Sequence, residues 1–444
     1  SLLYRGLSLS GIFVLVGLAA LISVNRRGIQ WRPVIWGLGL QFALGLLLLN
    51  PFIKEVFSLA VNDGVAQLLY FSDQGAEFVF GTQLPHTVGD GAGGEIVVGG
   101  GKISPPVRNI AFVVLPTIIF FSSLMSVLYH LGVMQRLVLV IAWVMQRTMR
   151  TSGAESLSAA ANIFVGQTEA PLVVKPYINE MTRSELHAIM TGGFATVAGG
   201  VLAAYVQFLK TSIPDIAGHL VVASILSAPA ALAISKIIYP EDGTPVTSTS
   251  LNMTDEKTAR NVLEAAANGA VEGVRLAINV AAMLIAFIAL IKMVDWTLGL
   301  VPIAFCESGV AFGYPDTCEP LSLTKILGWV FAPLAFAMGV PWSEAGIVGT
   351  LLGEKLVLTE FVAYLHLGQI LTDTPEVLSQ RSAIIASYAL CGFANFASIG
   401  IQLGGIGGIA PNRMGDLSEM GIRAMIGGSL AAFMTATVAG VLLT

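Results

Sequence analysis

The sequence predicts an all-α polytopic membrane protein with eight transmembrane helices, two re-entrant hairpins, and an inverted repeat that contains two discontinuous helices. Three observations predict it. First, only 11% of the 444 residues are charged and 55% are hydrophobic, whereas a soluble domain carries roughly 25% charged residues. Second, eight apolar runs approach the ~20 residues that a helix needs to cross the hydrocarbon core. Third, GFAT at Gly193–Thr196 returns as GFAN at Gly392–Asn395, each inside an apolar run.

The eight runs lie at 7–24, 33–50, 109–132, 186–209, 217–238, 276–301, 383–405 and 423–443, bounded by charge or by Pro and Gly. The first follows SLLYRGLSLSG, which has neither a charged n-region nor a small-residue cleavage site, so it reads as a retained span rather than a signal peptide. Met134–Arg150 has basic residues at both ends and an apolar middle, the pattern of an amphipathic helix lying along the membrane surface. Two further apolar regions, 155–180 and 326–370, are interrupted by GQTEAP and by GTLLGEKLVLTE, and each reads as a re-entrant hairpin. Placing Asn25–Arg32 in the cytoplasm puts most basic residues on that side and both termini outside. Glu241–Arg260 is then a polar cytoplasmic loop, and no soluble segment is large enough to hold an enzyme.

Composition excludes several functions. A net charge of −5 without a basic cluster argues against nucleic acid, which is held by Lys and Arg that displace counterions from phosphates. Three cysteines give no CxxC pair, and the five histidines give no HExxH. Cys306 and Cys318 fall on the predicted outer side, where a disulfide survives, while Cys391 inside a span reads as a small packing residue. Gly89, Gly91 and Gly94 match GxGxxG, but a dinucleotide fingerprint needs a strand before it and a helix after it in a βαβ unit. Gly101–Lys102 fails as a phosphate loop, because Ile96 and Ile103 stand where Gly and Ser or Thr are required.

The GFAT and GFAN runs each follow one interrupted hairpin. The order hairpin, then broken helix, therefore occurs twice, and with the orientation above the two broken spans run in opposite directions. Such inverted repeats place a substrate site at the midplane, where unwound backbone faces a cavity. Gly193, Gly199, Gly200, Gly392 and Gly400 also suit plain close packing of helices. Polar residues collect at the same places: Gln167, Thr168 and Glu169 at the first hairpin, Glu360 in the second, and Asn395 and Ser398 at the second break. A carboxylate at membrane depth is costly and marks function by default. Glu169 and Glu360 fit proton carriers, acid/base groups, acceptors for a polyhydroxylated ligand, or ion-pair partners of Lys175 and Lys355. No nucleophile–base pair accompanies them, so a ligand site fits better than a hydrolase, and a channel is the other class that uses re-entrant segments.

NIFVGQTEAP at Asn162–Pro171, GGFATVAGGVLAAY at Gly192–Tyr205, GEKLVLTEFVAYL at Gly353–Leu365 and ALCGFANFASIG at Ala389–Gly400 resemble the concentrative nucleoside transporters. The similarity spans essentially the whole chain and matches the bacterial form of that family. It implies a sodium-coupled, uridine-like nucleoside symporter working by alternating access in a bacterial inner membrane, as a homotrimer with one site per protomer. The scaffold would be 1–132 with 261–301, and the transport repeats 133–260 and 302–444. Carried over by motif, Gln167, Thr168 and Glu169 would meet the nucleobase with Val201 and Phe393 as apolar neighbours, and Glu360, Asn395 and Ser398 would hold the ribose. The sodium ligands would be Asn162 (side chain and carbonyl), the carbonyls of Val165 and Val197, and the hydroxyl and carbonyl of Thr196. Proton-coupled members depart from that ligand pattern, and a carboxylate at 169 or 360 leaves a proton as the alternative coupling ion.

Overall fold

The computed structural model describes residues 2–49, 51–80, 86–89, 95–98, 111, 114–247, 259–299 and 321–443. It is almost entirely helical. The first two spans are α1 (Leu2–Leu21) and α2 (Trp31–Leu48), followed by α3 (Pro51–Phe80). The helix α3 is absent from the eight predicted runs, because Asp63, Asp73 and Glu77 recur through it and no stretch of sufficient length is uniformly apolar. A short antiparallel pair, β1 (His86–Gly89) with β2 (Glu95–Val98), comes next. A strand thus ends on Gly89, the first of the GxGxxG residues, but its four-residue partner is antiparallel and no βαβ unit forms among the described residues. Cys306, Cys318 and Lys102 lie outside the described residues.

From α4 onward the chain repeats itself. The helix α4 (Leu115–His130) turns by 77° at Gly132 into α5 (Val133–Met149). Met134, Val138, Ala142, Met145 and Met149 form one buried stripe along α5, as the amphipathic reading requires. Then come α6 (Gly153–Ala161) and a 3-10 segment (Ala170–Tyr177), which are the two legs of the first hairpin. A broken span follows, α7 (Arg183–Ala195) and α8 (Gly199–Leu209), and then α9 (Ile216–Ile238). The long helix α10 (Val262–Gly299) separates this set from the second. It starts 14 residues before the predicted 276, because Glu264, Asn268 and Glu272 fall outside any apolar run yet continue the helix.

The second set keeps the same order: α11 (Leu323–Ala337), a 118° bend, α12 (Trp342–Val357), α13 (Glu360–Asp373), the broken pair α14 (Gln380–Leu390) and α15 (Phe396–Ile409), and α16 (Met414–Leu442). The region 326–370 is therefore not one hairpin. Its first helix, α11, is the counterpart of α5, and the hairpin legs are α12 and α13, joined at Leu358–Thr359 and tied by His366 Nδ1 3.0 Å from the Glu354 carboxylate. Among the described residues six helical stretches are long and apolar enough to cross a membrane, and the bent pairs bring the number to as many as eight.

Several polar side chains inside this apolar bundle are spent on one another or on backbone, as burial demands. Gln41 of α2 donates to the Leu226 carbonyl (3.0 Å) and the Thr435 hydroxyl (3.1 Å), joining α2, α9 and α16. Ser123 and Ser126 of α4 donate to the Ala266 and Ala265 carbonyls of α10 at 2.9 and 2.7 Å. At the foot of the first hairpin Ser152 and Thr182 close capping boxes with Glu155 and Glu185, which start α6 and α7. There Lys236 of α9, 4% exposed, lies 2.7 Å from Glu155 and 3.2 Å from Glu241, and also donates to the Ser184 hydroxyl at 2.9 Å. Arg413, between α15 and α16, donates to the carbonyls of Ile178, Asn179 and Met181 at 3.3, 3.2 and 2.6 Å and so grips the other leg.

Candidate functional site

Two broken helices cross at the centre of the molecule. The break Thr196–Ala198 separates α7 from α8, and Cys391–Asn395 separates α14 from α15. The amide of Phe393 donates to the Thr196 carbonyl at 3.2 Å, so the GFAT and GFAN runs touch directly. Gly392 has φ +142°, and a Cβ there would stand 2.7 Å from the Phe194 carbonyl oxygen. Its first-repeat counterpart, Gly193, has the same role at another face: a Cβ would stand 2.7 Å from Gln402 Nε2 and 2.9 Å from Gln167 Cβ. Both glycines are therefore required for close approach at the crossing.

A continuous hydrogen-bonded chain runs through this crossing. The Tyr205 hydroxyl of α8 donates to Glu360 Oε1 at 2.9 Å, and Asn395 Nδ2 donates to Glu360 Oε2 at 2.9 Å. Asn395 caps α15 by accepting from the Ser398 amide at 2.8 Å. The Ser398 hydroxyl accepts from Gln167 Nε2 at 3.2 Å, and Gln167 Oε1 accepts from Gln402 Nε2 at 3.1 Å. Three helices, α8, α13 and α15, and the turn of the first hairpin contribute, so both repeats take part. Glu360 is 4% exposed, and its partners are neutral. Lys355 does not neutralise it through an ion pair, since the ammonium donates to the Ala389 carbonyl at 2.8 Å and lies over the Phe433 ring. Stacking on Tyr364, at 4.1 Å between ring centroids, fixes the Tyr205 ring.

Of the predicted ligand residues the structure brings Gln167, Glu360, Asn395 and Ser398 into this chain. Thr168 sits beside Gly405 of α15, and Val201 is buried one helical turn before Tyr205. Phe393 is half-buried at the crossing itself. Glu169 differs from Glu360: its side chain is exposed and lies within electrostatic reach of Glu272 on α10 and Tyr129 on α4. The two carboxylates are thus not an equivalent pair. Tyr205 and Gln402 were not among the predicted residues. The signal was present, because each is a polar group four residues from a predicted one on an apolar helix.

Two of the four predicted cation ligands, Asn162 and Thr196, approach Gly192. Asn162 is fully buried, and neither its Oδ1 nor its Nδ2 has a hydrogen-bond partner. Nδ2 lies 3.2 Å from where a Gly192 Cβ would stand, and Thr196 Oγ1 donates to the Gly192 carbonyl at 2.8 Å. The Gly199 amide donates to the Phe164 carbonyl at 3.1 Å, which pins the hairpin tip to the start of α8. The Thr196 carbonyl accepts from Phe393 through one lone pair and keeps the other. An unpartnered buried amide oxygen beside a hydroxyl suits a hard monovalent cation.

Comparison with known proteins decides the family. Three family models match: the Na+ dependent nucleoside transporter N-terminus over residues 10–83, nucleoside recognition (Gate) over 111–212, and the Na+ dependent nucleoside transporter C-terminus over 219–440. An uncharacterized transporter of Haemophilus influenzae is 42% identical over 98% of this chain and 96% of its own length. The chain belongs to the concentrative nucleoside transporter family.

Other members of the concentrative nucleoside transporter family align as well. Solute carrier family 28 member 3 of Mus musculus and sodium/nucleoside cotransporter 1 of Rattus norvegicus are each 41% identical over 98% of this chain, which spans 58% and 63% of their lengths. Among solved structures, CNTnw in an inward-facing substrate-bound state superposes with a TM-score of 0.83 at 42% identity, covering 99% of both chains. An outward-facing variant of CNTnw gives 0.82 at 43% identity, covering 99% of this chain and 97% of that one.

Proposed function

We propose that this protein is a secondary active symporter that imports uridine-like nucleosides with sodium by alternating access. The observation that carries the reading is the chain from Tyr205 through Glu360, Asn395 and Ser398 to Gln167. A carboxylate flanked by an amide suits a cis-diol, and the Gln167 amide with the Thr168 hydroxyl suits the edge of a base. In this reading Glu360, Asn395 and Ser398 hold the ribose, Gln167, Thr168 and Glu169 meet the base, and Val201 and Phe393 pack against it. Asn162 and Thr196, with carbonyls of Val165 and Val197, hold the sodium.

Coupling follows from position. Asn162 belongs to the first hairpin and Thr196 to the break beside it, so a cation held by both draws the hairpin tip against α8. Gln167 lies five residues beyond Asn162 on the same tip, and it is thereby set in place for the base. Sodium raises nucleoside affinity, and by linkage nucleoside raises sodium affinity by the same factor. The moving body consists of 133–260 and 302–444, and the scaffold of 1–132 with α10. Exposed Val271, Val274, Ile278 and Ile285 along α10 supply an apolar face for lipid or for the trimer, in a bacterial inner membrane with both termini outside.

The test is labelled uridine uptake into proteoliposomes under an inward sodium gradient and, separately, an inward proton gradient. Uptake that follows sodium and saturates with uridine is expected. Uptake that ignores sodium and follows protons overturns the ion assignment, and ion flux without saturable uridine uptake overturns the symporter.

A further inference from the structure

Gln402 is fully buried on α15, and its two amide hydrogens are committed. Nε2 lies 3.0 Å from the Met190 carbonyl oxygen and 3.1 Å from Gln167 Oε1. Which end of a glutamine amide is nitrogen is read from its partners, and here one partner leaves no choice. A backbone carbonyl only accepts, so Gln402 must present its NH2 group to Met190, and that same nitrogen faces Gln167. Gln167 must then turn its oxygen toward Gln402 and its nitrogen away. One hydrogen of that nitrogen goes to the Ser398 hydroxyl at 3.2 Å, and the other is left to face the ligand. Gly193 belongs to this arrangement, because any side chain there would press on both glutamines.

We infer that Gln402 is a positioning residue that fixes the polarity of the Gln167 amide, so that the transporter selects nucleobases presenting a hydrogen-bond acceptor to Gln167. This rests on the reading of Gln167 as a base contact. The physical basis of selection is the cost of leaving a buried donor facing another donor, which exceeds what a missing apolar contact costs. Free to rotate, Gln167 would offer an oxygen or a nitrogen according to the base, and selection at that edge would vanish. The Met190 carbonyl, acting through Gln402, removes that freedom.

The experiment measures KM for uridine, cytidine, 2-thiouridine and 4-thiouridine in proteoliposomes containing the full chain. Cytidine reverses polarity at positions 3 and 4, and each thio analogue replaces one good acceptor with a poor one. The wild-type protein should disfavour at least one of the four by about tenfold, and Gln402→Met should bring that ratio to within about twofold, because Gln167 is then unrestrained. Gln402→Glu offers Gln167 only acceptors, turns its amide over, and should invert the uridine to cytidine preference. The inference is overturned if the wild-type protein treats all four alike. It is also overturned if the variants raise every KM by a common factor, which is what loss of mere support would do. Should the carboxylate variant not assemble, the methionine variant decides by the same ratio. Gln167→Ala separates the two levels: an unchanged uridine KM there sinks the base-contact reading itself, whereas a raised KM with unmoved ratios in the Gln402 variants sinks only the role of Gln402.

Discussion

The Tyr205 hydroxyl donates to the Glu360 carboxylate across 2.9 Å, joining α8, the second half of the first broken helix, to the second hairpin. A buried carboxylate is tolerated only where donors surround it, and Tyr205 and Asn395 each donate to one of the two Glu360 oxygens. Removing the hydroxyl alone leaves one oxygen of Glu360 short of a partner while the stacking on Tyr364 persists. Tyr205→Phe should therefore raise the uridine KM by about tenfold, the equivalent of one hydrogen bond to a charged group, and leave the sodium dependence of uptake in place. Uptake kinetics at saturating sodium check this, and an unchanged KM removes Tyr205 from the site.

Glu360→Gln is nearly isosteric but replaces one carboxylate oxygen with an NH2 group, which either faces the Asn395 amide donor or obliges the Tyr205 hydroxyl to turn and accept. Uridine uptake should fall by about 100-fold or more, since the ribose loses its charged acceptor, while the protein remains monodisperse in detergent. Normal transport by this variant would exclude Glu360 as the ribose contact.

Asn162 has no partner for either end of its buried amide. In a purely structural role that arrangement is costly, so Asn162→Leu should leave the unfolding temperature without sodium unchanged or raised. The rise in unfolding temperature on adding sodium, a direct measure of ligand linkage, should disappear. A sodium-dependent shift that survives in Asn162→Leu shows that the cation binds elsewhere.

Gly392 adopts φ +142° with the Phe194 carbonyl where a side chain would go. Gly392→Val combines backbone strain of about 1–3 kcal/mol with a steric clash, and a clear fall in unfolding temperature is expected. Gly400, around which there is open space, serves as the control, and Gly400→Ala should be near neutral. Equal effects at the two positions would argue against a special role for the crossing.

Lys236→Ala leaves Glu155 buried without its ammonium and should destabilise the protein by about 3–5 kcal/mol. Adding Glu155→Gln to it should restore much of the loss, because the uncompensated charge is then gone. A double-mutant cycle by thermal unfolding reads the coupling, and strict additivity would mean that the 2.7 Å contact carries no net energy.

Much of this architecture was legible in the sequence for a simple reason: hydrocarbon admits few backbone solutions, so apolar runs and their interruptions report the elements directly. GQTEAP, LTE and the GFAT and GFAN runs each fall where the structure bends or breaks. The helix α3 escaped because its acidic residues hide it from a search for apolar length. The division of 326–370 into three helices escaped because α11 and α12 are both apolar, and the turn at Gly339 leaves little mark on hydropathy. At the site, residue types announced Gln167, Glu360, Asn395 and Ser398, but sequence carries no information about which polar groups meet. Tyr205 finds its partner 155 residues away and Gln402 finds Gln167 235 residues away. The different surroundings of Glu169 and Glu360 are likewise a product of folding, visible only once Tyr129 and Glu272 stand near the first and Tyr205 and Asn395 donate to the second.

The first hairpin is held at both roots, by Lys236 on the α6 side and by Arg413 on the other, while its far end is tied by neutral groups: the Gly199 amide to the Phe164 carbonyl, the Ser224 hydroxyl to the Ile163 carbonyl, and Gln167 to Ser398 and Gln402. Mechanically it is a beam clamped at its base by charged side chains and pinned at its tip by neutral hydrogen bonds. In the proposed cycle, opening the pocket at that end breaks only neutral hydrogen bonds of the tip, and moving the whole assembly breaks none of the contacts that fasten the roots, so the two movements are separable.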